Sequence, residues 1–164
     1  RLLLSIMITT GMRLDEVALM TWERLTVFDG VWCFSLVNDV EDVKVKNHGS
    51  MRYIPVPEIL KPILGNGGDG RLFNYRIDVD GKAQAKASDA VMPYIRTVTQ
   101  NDRKVAHSMR GNFKDFIRDL GVSKEINDFI TGHAQGDVAG RYGAGPSMAK
   151  RLEVINQIKH PWLI

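Results

Sequence analysis

HSMRGNFKDFIRDLGVSKEINDFITGHAQGDVAGRY, residues 107–142, is the stretch on which the fold turns. Its first part predicts a helix from His107 to Leu120 closed by Gly121. A second helix should run from Ser123, a cap-forming residue, to Thr131, and stop at Gly132. Set along these helices and just beyond them are His107, Arg110, His133 and Tyr142, in the order His-x-x-Arg, Gly-His, Tyr. Near the other end of the chain Arg13 stands in Thr10-Gly11-Met12-Arg13-Leu14-Asp15-Glu16. Two arginines, two histidines and a tyrosine suit one chemistry, the attack of a phenol on a phosphodiester.

Working outward, Arg1 to Thr10 reads as a helix with no N-cap and no initiating methionine, so the chain is expected to be cut from a longer protein. A helix from about Leu14 to Thr21 should follow, placing Arg13 at a junction where its side chain can enter a cleft. Short β-rich pieces come next, Val31 to Val37, Val43 to Lys46 and Met51 to Val56, with turns at Asp29-Gly30 and Asn47-His48-Gly49-Ser50. They predict a small three-stranded antiparallel sheet. Glu58 to Leu64 is a short helix, Gly65 to Gly70 a glycine-rich loop, and Gln84 to Thr99 a helix despite Pro93. The last helix, Pro146 to Ile158, sets Ala149, Leu152, Ile155 and Ile158 on one stripe, for its own domain or for a neighbouring copy. The expected class is mainly α with one small antiparallel sheet, in a single domain over residues 1–164.

Composition narrows the setting. The chain has 164 residues, 44% of them hydrophobic and 25% charged, which is the balance of a globular domain able to bury a core without crosslinks. A single cysteine, Cys33, lies among apolar residues and reads as a buried, inert thiol in a reducing, cytoplasmic compartment. No apolar run is long enough to cross a bilayer, so no membrane partner is expected. The net charge of +3 permits a nucleic-acid partner without requiring one.

Each short motif is weak alone. His-x-x-Arg also describes a solvated helix start, and Gly-His an ordinary helix cap. Their order and spacing, together with Arg13, with Lys46 ahead of Arg52-Tyr53-Ile54-Pro55, and with Tyr142 nine residues after His133, resemble the catalytic domain of the tyrosine recombinase (phage integrase) family. The resemblance runs from Thr10 to about Ile158.

This resemblance implies that fold and a set of roles. Tyr142 would be the nucleophile, forming a 3′-phosphotyrosyl link and freeing a 5′-hydroxyl; a phenol of pKa about 10 needs a cationic, proton-accepting setting for this. Arg13 and Arg110 would hold the non-bridging oxygens of the scissile phosphate, a task suited to a planar, permanently charged fork. His107 would accept the phenolic proton and His133 would bond the phosphate. A lysine would protonate the leaving oxygen. Lys46, at a strand end beside a turn, is favoured over Lys44, which lies on the same strand face. The chemistry needs no metal and no nucleotide cofactor. Double-stranded DNA is the implied partner, with a homo-tetramer on DNA, a monomer in isolation, and a further core-binding or arm-binding domain ahead of this one. Integration or excision of a phage or mobile element is the implied task. A type IB topoisomerase and a DNA-binding relic of the fold are the competing readings. Gly111 after Arg110 and Gly143-Ala144-Gly145 after Tyr142 depart from the family's usual residues.

Overall fold

A computed structural model describes residues 1–37, 51–65, 67–132 and 145–163. Helix α1, Leu2–Thr10, is the central rod, and all its residues from Ser5 onward are buried. A helix apolar on every side belongs inside a protein, and its few hydroxyls are satisfied locally. Thr9 Oγ1 donates to the Ser5 carbonyl at 2.8 Å and Thr10 Oγ1 to the Ile6 carbonyl at 2.5 Å. At Gly11 the chain turns left-handed, with φ 66°. A Cβ there would lie 2.3 Å from the Phe113 ring, so glycine serves both the turn and a very close approach to another helix.

Helix α2, Leu14–Ala18, follows at once, and a 3-10 turn over Trp22–Arg24 leads into the sheet. The strands are β1, Leu25–Phe28, β2, Val31–Ser35, and β3, Tyr53–Pro55, antiparallel in the order β1-β2-β3. Thr26 faces Cys33, and Phe34 faces Ile54. Asp29 and Gly30 both have positive φ, 51° and 72°, as a two-residue hairpin turn requires. The sheet has the expected number and sense of strands, but its first strand is Leu25–Phe28, ahead of the expected start at Val31. Val43 to Lys46 falls outside the described residues. Burial raises the Cys33 thiol to a pKa of about 11, which makes it inert at neutral pH.

A 3-10 turn, Glu58–Leu60, and helix α3, Lys61–Leu64, match the short helix expected after Pro57. Helix α4, Gln84–Val98, buries Ala87, Val91 and Ile95 at four-residue spacing. Pro93 stands on the exposed side of α4, so the backbone bond it removes is lost away from the core. These elements share one core with α1 and the sheet. A second apolar cluster joins helices α5, Ser108–Asp119, α6, Lys124–Thr131, and α7, Met148–Gln157, through Phe113, Ile117, Ile130, Val154, Ile155 and Ile158. Full burial of each such side chain is worth about 1.5–3 kcal/mol.

Helix α7 therefore packs on its own domain, with a stripe that differs from the expected one. Met148, Arg151, Val154, Ile155 and Ile158 are buried, whereas Ala149 is exposed and Leu152 half-buried. The shift is possible because Arg151 is tucked in: its Nε donates to the Pro146 carbonyl at 2.8 Å and its guanidinium lies 5.3 Å from the Phe129 ring centre. Among the described residues no helix is long and apolar enough to cross a membrane.

Candidate active site

The last carbonyls of a helix have no partner within it and carry a partial negative charge. At the end of α6 three successive carbonyls are met by three arginines from three other parts of the chain. Arg52 Nε donates to the Ile130 carbonyl at 3.0 Å, Arg110 Nη2 to that of Thr131 at 2.6 Å, and Arg13 Nη2 to that of Gly132 at 3.3 Å. Arg13 is the N-cap residue of α2, Arg52 directly precedes β3, and Arg110 lies in the first turn of α5. Arg110 also donates through Nη1 to the Gly11 carbonyl at 2.5 Å, which ties α5 to the sharp turn after α1.

Glu16 is the counter-charge. Arg52 grips its carboxylate with both terminal nitrogens, at 3.1 and 3.0 Å, while Arg13 donates to it from Nη1 at 2.6 Å and from its own backbone N–H at 2.8 Å. The backbone contact is half of a capping-box arrangement at the start of α2. Burial pushes the Glu16 carboxyl upward, but the Arg52 charge and hydrogen bonds, with those of Arg13, outweigh it and leave the pKa below the usual value. Burial first, then repulsion from Arg13 and Arg52, brings Arg110 down to about 10, with Glu16 offsetting part of the shift. Arg110 is thus still charged at neutral pH. Among the described residues three guanidiniums are set against one carboxylate.

Access differs among the three. The Arg13 side chain is 37% exposed, that of Arg52 5%, and residue Arg110 3%. Gly132, left-handed at φ 67°, closes α6 against Arg52; a Cβ there would lie 2.6 Å from Arg52 Nη1. His107 is exposed at the N-cap of α5, three residues ahead of Arg110. Of the residues expected from the sequence, Arg13 and Arg110 come together, and His107 sits one turn from Arg110. Lys46, its alternative Lys44, His133 and Tyr142 lie outside the described residues. Gly111 faces open space, so a side chain there would meet nothing among the described residues.

Arg52 and Glu16 stand in the sequence within longer motifs that give them no role, and the structure makes them members of the cluster. A signal for Arg52 does exist: it shares the two-residue period of Ile54 and Val56, both fully buried, so a charged residue sits at an inward position. Among the described residues no group of three or more His, Cys, Asp or Glu side chains could hold a metal ion.

Two solved structures resemble this one. The Tn1549 transposon integrase in complex with circular intermediate DNA aligns over 92% of this chain and 57% of its own, at 18% identity and a TM-score of 0.52. The same integrase carrying a tyrosine-to-phenylalanine substitution, in complex with transposon right end DNA, aligns over 92% and 52%, at 18% identity and a TM-score of 0.50. The chain spans little more than half the length of these structures. No protein-family profile and no curated protein matches its sequence. Mainly helical, with one three-stranded antiparallel sheet among the described residues, and aligned over nine-tenths of its length, the chain shares its fold with these transposon integrase structures.

Proposed function

We propose that this chain is the catalytic domain of a DNA strand-exchange enzyme that works through a 3′-phosphotyrosyl intermediate, in the service of a phage or other mobile element. The observation that carries the reading is the pairing of Arg13 and Arg110 on adjacent carbonyls at the end of α6. These are the two arginines to which the sequence resemblance assigns the scissile phosphate. Fixed donors around a phosphorus that becomes five-coordinate stabilise the charge gained by its oxygens, with little reorganisation during the step. Arg13 is the accessible member, whereas Arg110 is almost wholly enclosed, so binding of the phosphate has to uncover it.

In this reading the Tyr142 oxygen bonds to phosphorus as the bond to the 5′-oxygen breaks. The phenolic proton passes to His107, and the leaving oxygen takes a proton from Lys46 or Lys44. His133 adds a hydrogen bond to a phosphate oxygen. Attack by a 5′-hydroxyl of another strand reverses each transfer and reseals the backbone, so the energy of the broken bond is conserved. Double-stranded DNA is the substrate, four copies assemble on it, and a further domain completes the grip on the duplex. The Tn1549 integrase, of like fold and solved with DNA, supports this reading.

Covalent trapping tests it. The full gene product is incubated with nicked duplexes tiling the DNA on either side of its gene and compared with Tyr142→Phe on a denaturing gel. A protein–DNA band lost in the variant supports the proposal. DNA binding with no adduct overturns it in favour of a binding relic, and relaxation of supercoils without strand exchange would favour the topoisomerase reading.

A further inference from the structure

Arg52 is buried, yet it carries a full charge and a specific set of contacts. Its Nε is spent on the Ile130 carbonyl, and its two terminal nitrogens face the two oxygens of Glu16. With 5% of its side chain exposed, it is no surface ligand for DNA. A buried ion pair is a poor means of adding stability, since well-packed apolar residues of similar size often do as well. What this pair does supply is direction: the guanidinium fork fixes the plane of the Glu16 carboxylate, which in turn holds the backbone N–H and Nη1 of Arg13. From its other edge Arg52 holds the end of α6, whose next two carbonyls orient Arg110 and Arg13. The absence of a Cβ at Gly132 lets the fork sit against that turn.

We propose that Arg52 is a positioning residue for the phosphate-binding pair, setting the separation and orientation of Arg13 and Arg110 through Glu16 on one side and the α6 terminus on the other. The proposal rests on the strand-exchange reading for its catalytic consequence and on the contacts above for its geometry. Lysine at this position keeps the charge but loses the fork, so it cannot bond both carboxylate oxygens and the Ile130 carbonyl in the same way.

The test uses Arg52→Lys, with Arg52→Met as a second variant that removes both the charge and the fork while filling similar space. Folding is checked by circular dichroism. The rate of adduct formation at saturating DNA should fall about 100-fold, the scale set by an ångström-sized misplacement, while DNA affinity stays near that of the parent. A folded Arg52→Lys protein that forms adduct at the parental rate overturns the proposal and leaves the strand-exchange reading intact. A second arm needs no DNA: NMR titration of the Glu16 carboxyl and the side-chain 15N signals of Arg13 and Arg110. Both should shift in Arg52→Lys, with the Glu16 pKa moving up. Unchanged signals overturn the positioning role even if the parent protein forms no adduct, an outcome that by itself would count against the strand-exchange reading alone.

Discussion

A Cβ on Gly132 would lie 2.6 Å from Arg52 Nη1, so the turn after α6 and the buried arginine occupy mutually dependent space. Gly132→Ala should cost about 1–2 kcal/mol for the left-handed backbone alone. Displacement of Arg52 adds to that, and urea denaturation of the purified variant reads the total. A loss well below 1 kcal/mol would mean that the turn relaxes freely.

Gly11 and Phe113 form a similar pair at the other end of the cluster. Gly11→Ala forces the Phe113 ring away and should be more damaging than Gly132→Ala, because the obstacle is a fully buried ring. Phe113→Leu should recover part of the loss in the double variant. A double-mutant cycle measures this coupling, and simple additivity would contradict the contact.

Arg110 and Arg13 should separate stability from chemistry. Arg110→Ala leaves the Gly11 and Thr131 carbonyls without the donors they now have, a cost of about 2–3 kcal/mol. Arg13, over a third exposed, should cost less than about 1 kcal/mol when truncated. On the proposed function both variants lose adduct formation. Denaturation curves and trapping assays on the same preparations check the contrast.

His160 provides a pH dependence. It is buried, stacked edge-on between Phe116 and Trp162, and neither ring nitrogen has a hydrogen-bond partner among the described residues. Burial holds its pKa below the ordinary value of 6.5. A histidine with a depressed folded-state pKa contributes stability above the unfolded pKa, and that stability is lost as pH falls below 6.5. Urea midpoints should therefore drop between pH 7.5 and 5.5, and His160→Phe should flatten that part of the profile. Glu16, whose pKa is also lowered, adds a separate loss only below about pH 4.5.

Ser123 caps α6 by accepting the Ile126 N–H at 3.3 Å, at the end opposite the arginines. Ser123→Ala should cost about 1 kcal/mol in thermal or urea melts. The Glu16 titration should be unaffected, since the cluster depends on the other terminus.

Much of the helical frame was legible because its signals are local. Gln84 to Thr99 was expected and α4 spans Gln84–Val98; Ser123 and Gly132 bracket α6 as expected. Strand β1 is not legible because Leu25–Phe28 is four residues long, and its apolar Val27 and Phe28 are both exposed, so no alternation announces it. The buried stripe of α7 differs from the expected one because Arg151 counts as polar in any pattern, although the residue is buried. In the site, Arg13 and Arg110 stood out by motif. The part of Arg52 is a tertiary fact: its acceptor Ile130 is 78 residues away, and no spacing rule spans such a distance.

Three guanidiniums gathered at one point repel one another, and proteins commonly offset such repulsion with carboxylates, whose charge vanishes in acid. Here the main chain of α6 shares that task with Glu16, and peptide carbonyls do not titrate. Acid should therefore remove the Glu16 link and leave each arginine still tethered to its own carbonyl for as long as α6 remains folded.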